Sequence, residues 1–259
     1  MTSDSQILAI TGMHRSGTSL TAQYLEECGL DIGQELHNAT AKMSDQYRGG
    51  HHEDVEFVRF HREICTREFR DPSAINIKKT KLPIPIKESD RQQAAEILKR
   101  RENLSRWAWK DPRTTLFLNF WVDVLPEVKY LILLREPLSV VDSLIRRNKN
   151  KCILNYPIGG IKIWSLYNRE ILDFYRKCPH RVILFQIDDL IKEPGHLLNK
   201  MKNKFNIELK TAPLEQIFSK SSFKTQHSES VRKLEFTYSE DVQRANELFS
   251  QLKELSQKS

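Results

Sequence analysis

The residues best placed to do chemistry come first in the chain, in Ile7-Leu-Ala-Ile-Thr-Gly-Met-His-Arg-Ser-Gly-Thr-Ser-Leu20. An apolar run enters Gly12, four residues intervene, and Gly17-Thr18-Ser19 opens a helical pattern. Glycines let a backbone curl until successive N–H groups converge on an anion at a helix N-terminus. Thr18 and Ser19 add hydroxyl donors. We read a phosphate cradle here in preference to a plain strand–turn–helix with a Ser/Thr cap. A nucleoside-triphosphate loop would carry Lys directly before its Ser/Thr, where this chain has Thr18. Its basic residue is Arg15, inside the loop. Nor does a good apolar run end in the Asp that would hold Mg²⁺, since Lys129–Leu134 ends in Arg135. A cation there points away from metal-dependent phosphoryl transfer and towards a phosphate-rich ligand gripped by side chains.

Four other segments carry reactive types. Trp107-Ala-Trp-Lys-Asp-Pro-Arg113 places Lys110 at a predicted strand end, where ligands gather in open α/β sheets. Asp111 reads as a cap and Pro112 as a fixed turn. Gly50-His-His-Glu-Asp54 precedes a helical pattern, so Glu53 reads either as a reactive carboxylate or as a residue that favours the helix dipole. Leu134-Arg-Glu-Pro-Leu-Ser-Val-Val-Asp-Ser-Leu144 follows the second strong strand. Arg146-Arg-Asn-Lys-Asn-Lys151 adds charge around a ligand or forms a solvated basic helix end. A metal site at His51, His52 and His61 is disfavoured, because no ligand spacing repeats. Trp164 and Tyr167 stand at helical spacing and read as core.

Taken together these segments resemble sulfotransferases that use 3′-phosphoadenosine 5′-phosphosulfate (PAPS). Gly12–Leu20 resembles their 5′-phosphosulfate loop. Leu134–Leu144 resembles their 3′-phosphate motif, with Arg135 and Ser143 at the family's spacing. The Lys110-Asp-Pro segment and the Gly50-x-x-Glu53 segment resemble bacterial and tyrosylprotein-type members. Phe185-Gln-Ile-Asp-Asp-Leu-Ile-Lys-Glu-Pro194 resembles a later strand end more weakly, with Ile187 and Asp188 in place of Tyr and Glu. The resemblance covers about residues 7–206.

That resemblance implies a P-loop NTPase-like α/β domain, a central parallel sheet flanked by helices. The whole chain, 1–259, would be one domain, with 34–106 as an acceptor-side insertion or lid. The activity implied is transfer of the PAPS sulfonate to a hydroxyl, metal-independent and in line, leaving adenosine 3′,5′-bisphosphate (PAP). The donor would be held by His14, Arg15, Ser16, Gly17, Thr18 and Ser19 at the 5′ side, with the backbone amides of Ser16–Ser19. Arg135 and Ser143 would hold the 3′-phosphate. Arg15 and Lys110 would offset charge growing on the leaving phosphate. Glu53 is the favoured base, with His51 and His52 as rivals. The acceptor would be a sugar, glycan or glycolipid hydroxyl, or else a phenol or other small alcohol.

Around these residues stand the elements that must position them. Apolar runs predict strands at Gln6–Thr11, Arg106–Trp109, Val128–Leu134 and Arg181–Gln186. Helical patterns cover Ser19–Cys28, Asp54–Phe69, Asp90–Leu104, Pro137–Arg147, Ile161–Lys177, Pro194–Phe205 and Ser239–Leu255. Alternating strands and helices imply a doubly wound α/β domain. Arg70–Lys87, with Pro72, Pro83, Pro85 and Lys78-Lys79-Thr80-Lys81, predicts a solvated loop. Its apolar Leu82, Ile84 and Ile86 leave open a substrate lid or a peripheral contact with an anionic surface.

Bulk properties exclude rather than identify. In 259 residues there are 41 Lys plus Arg against 34 Asp plus Glu, giving +7. That excess suits a polyphosphate, nucleic acid or an anionic membrane surface without choosing among them. A nucleic-acid module is disfavoured by basic runs that lack aromatic interleaving. A small-molecule kinase using Mg-ATP is the enzymatic alternative. No apolar stretch approaches the roughly twenty residues of a membrane span, and the first residues do not pattern as a secretory signal. Cys28, Cys65, Cys152 and Cys178 form no CxxC pair. They read as reduced thiols of a cytoplasmic protein.

Overall fold

A computed structural model describes residues 5–33, 52–77, 82–146, 157–218 and 227–259. The basic runs 78–81 and 147–151 and the rival base His51 lie outside the described residues.

Element order follows the sequence pattern. β1 (Gln6–Gly12) leads into α1 (Thr18–Glu27), then α2 (Val55–Phe69) and α3 (Glu88–Lys99). β2 (Arg106–Lys110) turns through a 3₁₀ segment (Pro112–Phe117) into α4 (Leu118–Val124). β3 (Lys129–Leu134) is followed by α5 (Pro137–Arg146) and α6 (Ile158–Lys177). β4 (Val182–Gln186) passes to α7 (Ile187–Lys192) and α8 (Pro194–Phe205), and the chain closes with α9 (Glu229–Thr237) and α10 (Ser239–Lys258). The four strands pair in parallel in the order β2-β1-β3-β4. The chain leaves β1 for β2 on one side and returns to β3 on the other. The sheet therefore has its topological switch at the carboxyl ends of β1 and β3, where such sheets open a crevice.

Both faces of the sheet are covered, which explains the near-continuous apolar runs. Ile7, Ala9, Trp107, Trp109, Tyr130 and Ile132 face one core, built with α2 to α6 and the C-terminal helices. Leu8, Ile10, Ala108, Leu131, Leu133 and Ile183 face the other, built with α1, α7 and α8. The strict alternation between the two sets is the period of two of a strand.

Among the helices, α2 has the closest tie to the candidate base, because Glu53 immediately precedes its cap. Asp54 caps it by accepting from the Glu56 amide at 3.0 Å. Buried Arg101 bonds both Asp54 and Glu56, at 2.7 and 2.6 Å, and lies over the Phe57 ring. Phe57 stacks on Trp109 with centroids 4.4 Å apart, and Phe60 stacks on Phe120 at 5.5 Å. These aromatic contacts seat α2 on the β2 edge of the sheet.

Helix α3 departs from expectation at both ends, and three short helices are new. α3 starts at Glu88, because Lys87 is the cap and Asp90 is the third residue, accepting from the Lys87 amide at 2.8 Å. It ends at Lys99, and residues 101–104 form turns. α4 and α7 were not anticipated: each has seven residues or fewer, too short to display a helical period. α9 was also missed, in a mostly polar stretch. The described parts of 70–87 carry no helix or strand, as the prolines require.

Candidate active site

The β1–α1 loop is shaped by two glycines. Gly12 has φ 139°, and a Cβ there would stand 2.4 Å from the Leu133 carbonyl oxygen. Gly17 has φ 92° and is the N-cap of α1, with no side-chain cap on the first turn. Backbone and hydroxyl groups of Thr18 and Ser19 thus stand at an uncapped helix start, the form an anion cradle takes. The Ser16 amide, expected to join the cradle, instead donates to the Met13 carbonyl at 3.1 Å.

Arg15 occupies the left-handed region at φ 71°, which turns its side chain towards α5. Its Nε donates to Ser143 Oγ at 2.9 Å. Arg135 Nη1 donates to the Arg15 carbonyl at 2.9 Å. Trp164 Nε1 in turn donates to the Arg135 carbonyl at 3.1 Å, so this buried tryptophan is core that also fixes the strand end. Arg15, Arg135 and Ser143 therefore form one cluster.

Lys110 forms the second focus. It is 1% exposed, and its Nζ donates to Ser19 Oγ at 2.9 Å and to Glu53 Oε1 at 2.8 Å. Glu53 Oε2 stands 3.6 Å from Arg113 Nη2. Burial and the nearby Asp111 work to raise the Glu53 pKa, but Lys110 and Arg113 outweigh them and hold it below its ordinary value. Glu53 is thereby kept as a carboxylate.

Asp111 caps the turn as expected, accepting from the Arg113 amide at 2.9 Å. It does more than that. Its carboxylate also takes the Arg113 Nε at 3.0 Å and His61 Nδ1 at 2.8 Å. Burial alone would raise Asp111, yet Arg113 and then His61 bring it well below the usual carboxylate range. Thr11 Oγ1 donates to the Asp111 carbonyl at 2.9 Å and pins this turn to β1.

The remaining histidines divide. His14, within the loop, has a buried Nε2 with no partner and lies edge-on to Tyr167 at 5.9 Å. Burial first, and then the Arg113 charge, lower its pKa to about 4, so the ring is neutral. His52 sits at φ 47° with Nδ1 2.7 Å from Glu26 Oε2, which draws it towards α1. His61 is held by Asp111 on one nitrogen and by Trp121 on the other. Among the described residues no His/Cys/Asp/Glu group forms a metal-binding cluster.

Sequence reasoning passed over Trp121, and His61 entered it only as a disfavoured metal ligand. The signal was present: His61 falls on the same helical face as apolar Val58, Ile64 and Cys65, so it had to be a buried polar group.

Fold and site together define a protein of P-loop NTPase-like fold with cations, Lys110 and Arg135, at the ends of two of its strands. The sulfotransferase family matches residues 8–211, and the chain belongs to that family. No curated protein matches it. Among solved structures, a sulfotransferase domain from the curacin biosynthetic pathway superposes with a TM-score of 0.56 at 19% identity, covering 95% of this chain and 98% of that one. The sulfotransferase domain of the Synechococcus PCC 7002 olefin synthase gives 0.54 at 17%, covering 95% and 94%. Sulfotransferase STF9 from Mycobacterium avium gives 0.56 at 12%, covering 96% and 75%. At these identities the likeness is one of fold. No helix among the described residues is long and apolar enough to cross a membrane.

Proposed function

We propose that this chain transfers the sulfonate of PAPS to a hydroxyl acceptor. The observation that carries this reading is the Lys110 ammonium, buried between a hydroxyl of the phosphate loop and the Glu53 carboxylate. It joins the group that would hold the donor to the group that would activate the acceptor.

The residues fit the donor at both of its ends. The start of α1, whose N-cap Gly17 supplies no side-chain cap, suits the 5′-phosphosulfate. The Arg15–Arg135–Ser143 cluster suits the 3′-phosphate, since guanidinium groups match phosphate oxygens. Arg15 bonds Ser143 on the 3′ side, and Arg15 and Lys110 are the cations proposed to offset charge on the leaving phosphate. PAPS, when bound, supplies an activated sulfonate for in-line transfer.

Glu53 is the proposed base. An acceptor hydroxyl at its carboxylate would give up its proton there as the oxygen attacks sulfur. A carboxylate of lowered pKa is a weak base, but it is fully deprotonated near neutrality. Anionic donor drawing Lys110 towards it would weaken the Lys110–Glu53 pair and strengthen the base at the moment it is needed. His52 is less suited, because Glu26 holds it.

The acceptor is proposed to be a sugar, glycan or glycolipid hydroxyl, admitted over residues 34–106. A cytoplasmic site of action goes with the unpaired Cys28, Cys65 and Cys178. The test measures sulfonate transfer from PAPS to a panel of sugar and phenol acceptors in the wild type, Glu53→Gln and Lys110→Ala. Loss of transfer in both variants with PAP binding retained supports the assignment. Full activity in both would sink it.

A further inference from the structure

Behind the Glu53–Lys110 pair lies a hydrogen-bonded chain that touches no reactant. Trp121 Nε1 on α4 meets His61 Nε2 on α2 at 2.9 Å. His61 Nδ1 meets Asp111 Oδ2 at 2.8 Å. Asp111 holds Arg113 through its amide and its Nε, and Arg113 reaches Glu53 at 3.6 Å and the Pro72 carbonyl at 3.4 Å. His61, Asp111 and Trp121 are each 0% exposed.

The direction of each bond is fixed. An indole N–H can only donate, so His61 Nε2 must offer its lone pair. The ring proton therefore sits on Nδ1 and is given to Asp111. An imidazolium would set N–H against N–H at Trp121. Burial, helped by Arg113 and opposed by Asp111 and Glu53, keeps His61 below its ordinary 6.5. His61 thus orients Asp111 without cancelling its charge, which is left for Arg113. The cluster stays balanced, with Glu53 and Asp111 against Lys110 and Arg113.

Glu53 and His61 also belong to one rigid piece, since α2 begins two residues after Glu53. α2 is consequently tied to the β2 end at two points, Glu53 to Lys110 and His61 to Asp111. With both points made, the Glu53 carboxylate has Lys110 on one oxygen and Arg113 on the other.

Resting on the reading of Glu53 as base, we infer that His61, locked by Trp121, is a positioning residue. It clamps α2 to the 110–113 turn and sets the Glu53 carboxylate between Lys110 and Arg113. Asn at position 61 would keep a donor to Asp111, whereas Phe would keep ring volume and lose both bonds.

The test compares wild type, His61→Phe and His61→Asn, each first shown to be folded. Ring ¹⁵N signals report the His61 tautomer, ¹³C carboxyl signals report Glu53 (assigned with Glu53→Gln), and calorimetry reports PAP affinity. In wild type, His61 should remain the neutral Nδ1–H form as pH falls through its ordinary 6.5, with Glu53 titrating below its ordinary value. In His61→Phe, Arg113 loses its set and Glu53 should titrate closer to 4.5, with PAP affinity unchanged. His61→Asn should restore the wild-type titration. Sulfonate transfer from PAPS to 4-nitrophenol should fall roughly ten- to hundred-fold in His61→Phe through kcat, the range met when a supporting partner is lost. An unmoved Glu53 titration in folded His61→Phe would overturn the inference. Should that variant not fold, a wild-type His61 that protonates near 6.5, or carries its proton on Nε2, would overturn it equally. Failure of the wild type to bind PAP would instead count against the sulfotransfer reading and leave the Glu53 comparison standing.

Discussion

The 3′-phosphate side of the cleft and the β2 end use cations in opposite ways. Arg15 and Arg135 stay partly exposed, Arg15 donating to a hydroxyl and Arg135 to a carbonyl. Lys110 and Arg113 are nearly or fully buried, and each faces a carboxylate at its own charge. The first arrangement holds its guanidinium groups by neutral groups in these bonds, and we propose that an incoming anion meets them there. The second is already neutral, so what it offers is geometry. Buried ion pairs contribute little net stability, but removing one partner leaves the other stranded at a cost of about 3–5 kcal/mol. The base side should therefore be brittle to substitution, and the 3′ side graded.

The largest expected effect comes from breaking the buried side. Glu53→Gln keeps the shape and removes the base, so transfer should fall about 10²–10⁴-fold while PAP still binds. Rates measured beside calorimetry check both halves of that statement, and an equal loss of PAP affinity would merge the two regions into one. Gly12→Ala comes next. It forces a Cβ against the Leu133 carbonyl at a positive φ, and should cost about 3 kcal/mol in urea unfolding.

An acid titration of stability separates the regions again. His14 has its folded pKa at about 4 against an ordinary 6.5, so the unfolded chain takes up a proton that the folded one refuses. Stability should fall as pH drops from 6.5 to about 4, and His14→Gln should flatten that part of the curve. Glu53 and Asp111, both depressed in the fold, contribute stability that is present above their ordinary values near 4 and lost at lower pH. The smallest effect belongs to Ser143→Ala, which removes one hydroxyl from Arg15. PAP affinity should drop only about three- to tenfold, the worth of one hydrogen bond.

How legible each region is in the sequence obeys the same division. The 12–19 loop and the Arg135–Ser143 segment are local: strand end, turn and helix start are contiguous, so residue types reveal the geometry, while the roles proposed for Arg135 and Ser143 came from the resemblance. The four strands were readable within a residue or two at each end, because burial on both faces gives unbroken apolar runs. The base side is assembled from 53, 61, 110–113 and 121, four segments joined only by packing of α2 and α4 on β2. Glu53 and Lys110 were reached by resemblance. The role of Asp111 beyond capping, that of His61 as its partner, and Trp121 altogether, required knowing which side chains share a core. Arg15 shows the converse limit: its position in the loop was plain, but its left-handed φ, which turns it to Ser143, was not.

The central claim, that the cleft is built for a 3′-phosphorylated adenine nucleotide, is tested most directly by calorimetric titration with PAP. ATP with and without Mg²⁺, and the variant Arg135→Ala, complete the set. The account predicts tight binding of PAP that does not depend on metal and is weakened at least tenfold in Arg135→Ala. Preference for Mg-ATP over PAP, or PAP binding indifferent to Arg135, would contradict it.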